Sequence, residues 1–501
     1  LRAGALPKGG KIVKSGYVEP IDDSVQQWLA RGTLALGGGA LIGLLAWMVV
    51  RMTRPVRRRF AARFAGPAPS SRLLVTLIAP VAIFVVTRIF ALGIDSIELE
   101  HIITKGGDGW FASSAGFEQF SFGALGIMPV INAFIFVEIL AVIFPGWRRR
   151  RHAGPDARAP LSAAVLITAA TLLFIQSWFI TQYLYGLERA GVEVLAPGIG
   201  PRMLVITSFA IGTLVLTGVA SLIREHGLGN GFGALLASGF LLGVLDRWDR
   251  LEGLIDGDFV VGGMTFLAIA IPIAIVMRWR VARLGEAPLR LPTSGGAPLG
   301  ELGGVVFLIA LLAKLPFEEL TFRLYDWSIT AREHHSILIA AIVLLTLLWS
   351  WAFARPNVTR KLAERIGLIA PARASWWAAA GLSAALLLLV GATAMLTTIM
   401  RPSAAWLADA MTVAIATVVV LDIYDDWRAR RIALDRVWTL HQAQHTDLVA
   451  RALDDAGIPH HFTSANLRTL LAFFGPFAGI DVLVPPEHAP AARQRLRELF
   501  E

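Results

Sequence analysis

Glu318, Glu319 and Arg323 form an acid pair followed four residues later by a guanidinium, a grouping able to activate water at a carbonyl. Such a site also needs an imidazole inside a neighbouring membrane helix as base or stabiliser. After His334 and His335 in the adjoining loop, the next histidine is His441, beyond the last apolar span. The acid pair is therefore read as solvated loop residues at the end of an apolar segment, and the chain as not an enzyme. Other ionisable groups within apolar stretches are Glu138, Lys314 and Asp422. Such groups in a membrane segment mark a pathway or a relay. Glu138 and Lys314 suggest one pair, which is too little for a coupled transporter. Cysteine is absent, so disulfides and thiolate metal sites are excluded, and no metal or cofactor is expected.

These residues are set in a chain of 501 residues that is 55% hydrophobic and 17% charged, a balance suited to a lipid solvent rather than to a water-exposed surface. Spanning about 30 Å of hydrocarbon takes roughly 20 helical residues. Runs of that kind fall near 32–50, 73–94, 121–144, 160–186, 203–223, 258–279, 303–317, 336–354, 376–400 and 407–424, with a shorter piece at 231–245. Eleven spans are expected. The loops at 51–72, 146–160, 224–230, 278–290 and 355–375 hold 22 Lys and Arg, and the intervening loops hold 8. This alternation puts the basic loops and the C-terminus in the cytoplasm, and an odd count then puts the N-terminus outside. The same asymmetry accounts for the net charge of +9 without nucleic acid. The tail 1–31 is polar, and the span 32–50 reads as a retained anchor rather than a cleaved leader.

Residues 437–501 change to a soluble pattern. Strands are expected at 437–440, 460–464 and 480–484, with helices at 445–456 and 486–500, a βαββα order. This tail resembles a small bacterial domain described as signal-transducing, carrying AGIP at 456–459 and VLVP at 482–485 in the same order.

Three stretches carry a wider resemblance. Residues 122–131 read FGALGIMPVI, followed by Asn132. Residues 224–231 read REHGLGNG, downstream of Gly212 and Thr213, and Arg88 is followed by Gly93, Ile94 and Asp95. Gln176, Arg355-Pro356 and the VVVLD run at 418–422 add support. Over residues 72–430 the chain resembles the SecY family of protein-conducting channels. Gly126 and Pro129 fit a broken helix, which a membrane tolerates where the freed backbone is buried in protein or faces a water-filled cavity. A proline kink in an ordinary packed bundle is the plainer alternative.

The resemblance implies an all-α polytopic membrane protein. Ten helices would form two inverted five-helix halves, 73–245 and 258–430, plus the extra N-terminal helix and the C-terminal α+β domain. Residues 95–120 would be a plug. Ile127, Ile131, Phe232, Leu236, Ile309 and Ile415 would meet as an apolar pore ring, which dewets and seals without fixed hydrogen bonds. Asn132 and Gln176 would sit on the lateral gate, where an interhelical hydrogen bond is worth about 1 kcal/mol. Arg278, Arg280, Arg283, Arg355 and Arg373 would line the loops that meet cytoplasmic partners.

Implied partners are SecE-like and SecG-like small membrane subunits, signal sequences, nascent polypeptides and lipids of the bacterial inner membrane. The sequence departs from the family at Val130, where tyrosine is usual, at Ser221, where an acid is usual, and at Gly304-Val305-Val306-Phe307. The loop at 278–292 is short and the motif at 370–375 altered, so ordinary docking of SecA or a ribosome is not expected. The competing readings are an intramembrane CAAX-type protease, on the Glu318–Arg323 grouping, and a solute transporter.

Overall fold

The computed structural model describes residues 69–95, 120–152, 158–189, 194–245, 257–278, 282–284, 287–289, 410–471 and 479–500, with isolated positions between 344 and 385. The expected first span at 32–50, the span at 303–317, all but isolated positions of the spans at 336–354 and 376–400, and the plug between its two ends lie outside these residues.

The first described span is a pair of short helices, α1 (Pro69–Thr76) and α2 (Ile78–Arg88). Helices α3 (Met128–Ile143), α4 (Pro145–His152) and α5 (Ala159–Arg189) follow. Next come α6 (Ile199–His226), α7 (Gly231–Leu245) and α8 (Gly257–Arg278). Helix α9 (Ala410–Ala429) is the last long one. Among the described residues, three helical stretches, 69–88, 160–182 and 199–226, are long and apolar enough to cross a membrane.

Their outer faces identify the solvent. Met264, Leu267, Ile271 and Ile275 follow one another along α8 at helical spacing and are all exposed. Met203, Leu204, Ile211, Leu214 and Val215 do the same on α6. An apolar stripe of this length on the outside of a folded helix is stable where the surroundings are hydrocarbon.

Inside, one apolar cluster joins α2, α3, α5, α6, α7, α8 and α9. Helix α3 packs along α5, while α7 lies against α2, α6 and α9, and α9 against α8. The segment expected to be helical from 121 instead begins its helix at Met128. Residues 120–127 run as irregular chain bonded to the end of α2: Ala91 N–H donates to Phe120 O at 2.9 Å, Phe122 to Ile89 at 2.8 Å and Gly123 to Val86 at 2.9 Å. Gly126 at φ +52° breaks any earlier helix, and Pro129 in the first turn lacks the N–H that a preceding turn would use.

After α8, a two-stranded hairpin pairs β1 (Ala282–Leu284) with β2 (Ala287–Leu289). The C-terminal unit contains β3 (Asp435–Leu440), α10 (Gln444–Asp454), β4 (His461–Phe462), α11 (Ala465–Leu470), β5 (Ile480–Val484) and α12 (Ala489–Phe500). Its antiparallel sheet has the order β3-β5-β4, with β5 central and buried along its whole length. Leu448, Val449, Leu453, Val482, Val484, Leu496 and their neighbours form its own core. The second strand is shorter than the sequence pattern indicates, because the chain turns at Ser464 into α11, a helix the pattern does not announce.

Candidate functional site: the entry to α3 and the floor of the bundle

The stretch at 122–131 meets the end of the first span and the Gly212-Thr213 pair in space. Gly212 on α6 faces the Phe122 carbonyl so closely that a Cβ there would lie 1.8 Å from the oxygen. One residue on, Thr213 Oγ1 donates to the Gly126 carbonyl at 2.9 Å. The Gly-Thr pair thus supplies close approach and then a donor for a carbonyl that the late start of α3 leaves outside a helix. Gly123 packs on Thr87 and Gly93, at φ +95°, on the Pro201 carbonyl. Asp95 N–H donates to Val194 O at 2.9 Å, which ties the far end of the first span to the approach of α6.

Ile127, Ile131 and Phe232 are buried in the bundle's apolar cluster, and Leu236 and Ile415 pack against it half-buried. The Phe232 ring meets the Phe134 ring edge-on at 5.4 Å. Ile309 lies outside the described residues. Asn132 is half-buried on α3 and Gln176 half-buried on α5. No hydrogen bond joins these two residues; Gln176 Oε1 is buried without a hydrogen-bond partner among the described residues.

Glu138, considered with Lys314 on sequence grounds, pairs with Arg158 Nη2 at 2.9 Å, the side chains being 3% and 2% exposed. This pairing has a local cause. Helix α4 turns the chain back so that the residue just before α5 reaches the last turns of α3. Lys314, Glu318, Glu319 and Arg323 lie outside the described residues.

At one end of the bundle, the GLGNG run is a fastening point as well as a turn. Gly229 adopts φ +68°, and Asn230 Oδ1 accepts from the N–H groups of Phe232 and Gly233 at 2.9 and 3.2 Å, capping α7. Thr76 Oγ1 accepts from Leu228 N–H at 2.8 Å. Asp426 Oδ2 accepts from Gly229 N–H at 2.8 Å, while its Oδ1 lies 2.6 Å from His461 Nε2.

Asp422, the other candidate for an intramembrane pathway, receives the N–H groups of Asn466 and Leu467 at 3.0 and 2.9 Å. It caps α11. Asp425 takes Arg278 Nη2 at 2.7 Å. Arg224 Nη2 reaches Asp481 Oδ1 at 3.3 Å, and the same oxygen accepts from Thr439 Oγ1 at 2.7 Å.

Of the expected partner-loop residues, Arg278 is thus engaged within the chain. Arg283 lies on β1, paired with Pro288. Arg280, Arg355 and Arg373 lie outside the described residues. Helix α10 packs against β2, Leu362 joins the core of the C-terminal unit, and Arg365 Nη1 donates to the Leu499 carbonyl.

Sequence reasoning missed the roles of Asn230 and Asp426. A signal for the latter was present. Asp422, Asp425 and Asp426 occupy the last two turns of α9, where the helix dipole disfavours acids, so donors from outside the helix had to match them.

The apolar outer faces, the non-helical entry to α3 and the small terminal sheet define a helical membrane protein with an attached α+β unit. The family described as SecY matches residues 121–423, and the chain belongs to that family.

Among its relatives, a protein translocase subunit SecY of Thermus thermophilus is 28% identical over 236 residues, 45% of this chain and 53% of that one. The Rickettsia typhi protein of the same name is 24% identical over 262 residues, 46% of this chain and 60% of that one. The chain spans about half the length of these curated relatives. Among solved structures, that of a protein conducting channel aligns with TM-score 0.48 and 14% identity, over 73% of this chain and 94% of that chain. Sec61 in a canine ribosome–channel complex aligns with TM-score 0.47 and 14% identity, over 73% and 94%.

Proposed function

We propose that this protein is a polypeptide-conducting channel subunit of the bacterial inner membrane, specialised relative to the main export channel. The observation that carries this reading is the non-helical chain at 120–127, packed against α2 and α6 and leading directly into the apolar cluster of Ile127, Ile131 and Phe232. A membrane permits irregular backbone only where protein or a water-lined path shelters it. An apolar constriction at that level would hold back ions yet seal around chains of any sequence. Ile309 would complete the ring, and Asn132 and Gln176 would face the lateral exit. The basic loops and the C-terminal unit are cytoplasmic in this reading, and the partners are small membrane subunits of the SecE and SecG kinds together with signal-bearing chains.

The test is reconstitution of the full chain with such small subunits in proteoliposomes, using a signal-bearing precursor and scoring its protease-protected fraction. Protection dependent on the signal is expected. Protection no higher than in empty liposomes would contradict the reading.

Specialisation rests on the floor of the bundle. The C-terminal unit is packed against the β1–β2 hairpin and against Leu362, the loops from which a motor would be received. Purified protein in nanodiscs is expected to bind SecA at least about tenfold more weakly than an ordinary channel, a difference of 1.4 kcal/mol. Equal affinity would remove the specialised reading and leave the channel reading standing.

A further inference from the structure

Helix α11 belongs by sequence to the C-terminal unit and by packing to the membrane bundle. Leu467, Leu470 and Leu471 lie in the same apolar cluster as Ile127, Ile131 and Phe232 rather than in the core of their own domain. Leu467 is fully buried. It sits over Gly233, where an added Cβ would lie 2.8 Å from Leu467 Cδ2 and 3.0 Å from Val419 Cγ2. The seat between α7 and α9 is therefore filled, one residue from Phe232.

Polar contacts surround it. Asp422 holds the first N–H groups of α11, Asp426 holds His461, Asp425 receives Asn466 Nδ2 at 3.3 Å, and Arg224 reaches Asp481. Ser464, immediately before α11, has φ 59° and is the one non-glycine residue with positive φ among the described residues. A conformation of that kind is kept where surrounding contacts hold it.

We propose that residues 465–471 are a latch that closes this end of the helix bundle, and that the C-terminal unit must lift away before the apolar cluster can open to a passing chain. The part concerning passage rests on the channel reading; the closure itself does not. A chain threading between α7 and α9 at this end would occupy the volume that Leu467 fills. The contacts that seat the latch are polar at its rim and apolar at its centre, so release removes several of them together. A ligand or partner that binds the lifted unit would therefore open the channel by mass action.

The absence of native cysteine makes the test direct. In the full chain in nanodiscs, Val419→Cys is expected to react slowly with a water-soluble maleimide, and at least about tenfold faster when Leu467→Asp is added. Equal rates in the two backgrounds would overturn the latch. Because Leu467→Asp can also harm folding, a second variant, Gly233→Cys with Leu467→Cys, locks the seat by a disulfide instead. In proteoliposomes, oxidation is expected to reduce precursor protection at least about tenfold and reduction to restore it. Unchanged transport by the cross-linked protein would also overturn the latch. If the reduced protein carries no precursor at all, the channel reading fails, and the maleimide rates still decide the closure.

Discussion

Asp426 shows how one side chain can serve two elements. It is 1% exposed, and its two oxygens hold the GLGNG turn and His461. Replacing it with alanine leaves a buried N–H and an imidazole without their acceptor, at about 1–3 kcal/mol for each group. Asp426→Ala is expected to leave the membrane bundle folded while exposing the junction near 430–435 to protease, as a cleavage time course would record. Glu138 is the opposite case, because its partner is charged and equally buried. Glu138→Ala removes a buried carboxylate from the Arg158 guanidinium and is expected to cost about 3–5 kcal/mol, whereas the double change Glu138→Leu with Arg158→Met recovers most of it. Thermal unfolding of the two variants in detergent compares them, and equal losses would contradict the account. At this scale the sequence was informative where glycines were forced by contact. Gly212, Gly126 and Gly229 stand out as motif positions, and each has a backbone reason. The roles of Glu138 and Asp422 were not legible, because both partners come from segments whose approach only the tertiary fold determines.

Among the elements, α3 and α11 depart most from what periodicity indicates. The apolar run from 121 to 144 reads as one span, yet the hydrogen bonds of 120–127 are local turns and bonds to the end of α2 and to α6, with no helical ladder before Met128. Hydropathy records what a segment is buried in, not which partner satisfies its backbone. Gly212→Ala is therefore expected to disrupt the junction of α6 with Phe122, since the methyl group would overlap the carbonyl. Severe loss of folded protein is predicted, measured as the monodisperse fraction after detergent extraction; normal yield would contradict that packing. Helix α11 escaped notice because six residues are too few to show a period, and because its leucines answer to the bundle rather than to the sheet beside them. Leu467→Ala removes a fully buried side chain from that contact and is expected to weaken docking of the C-terminal unit by about 2–5 kcal/mol. Hydrogen exchange in α11 reports it directly, and unchanged protection would contradict the assignment.

For the molecule as a whole, the membrane class and the family were legible early. The apolar runs and the order of the three motif stretches are written in the sequence, and the fold brings 122–126 against Gly212, Thr213 and the end of the first span. Orientation rests on the charge asymmetry of the loops. A reporter active only outside the cell, fused after Glu501, is expected to stay silent. The relation between bundle and C-terminal unit was not legible, because it depends on single contacts such as His461 with Asp426 that leave no periodic trace. The central proposal is that a polypeptide crosses at the apolar cluster that contains Ile131 and Phe232 and against which Ile415 packs. It is tested most directly with a photoreactive side chain placed in turn at each of those positions and at Val420, which is 63% exposed on the outer face of α9. With a precursor arrested midway through the reconstituted protein, the account predicts strong cross-links from the first three positions and only background from Val420. Cross-links confined to Val420, or equal from all four positions, would contradict it.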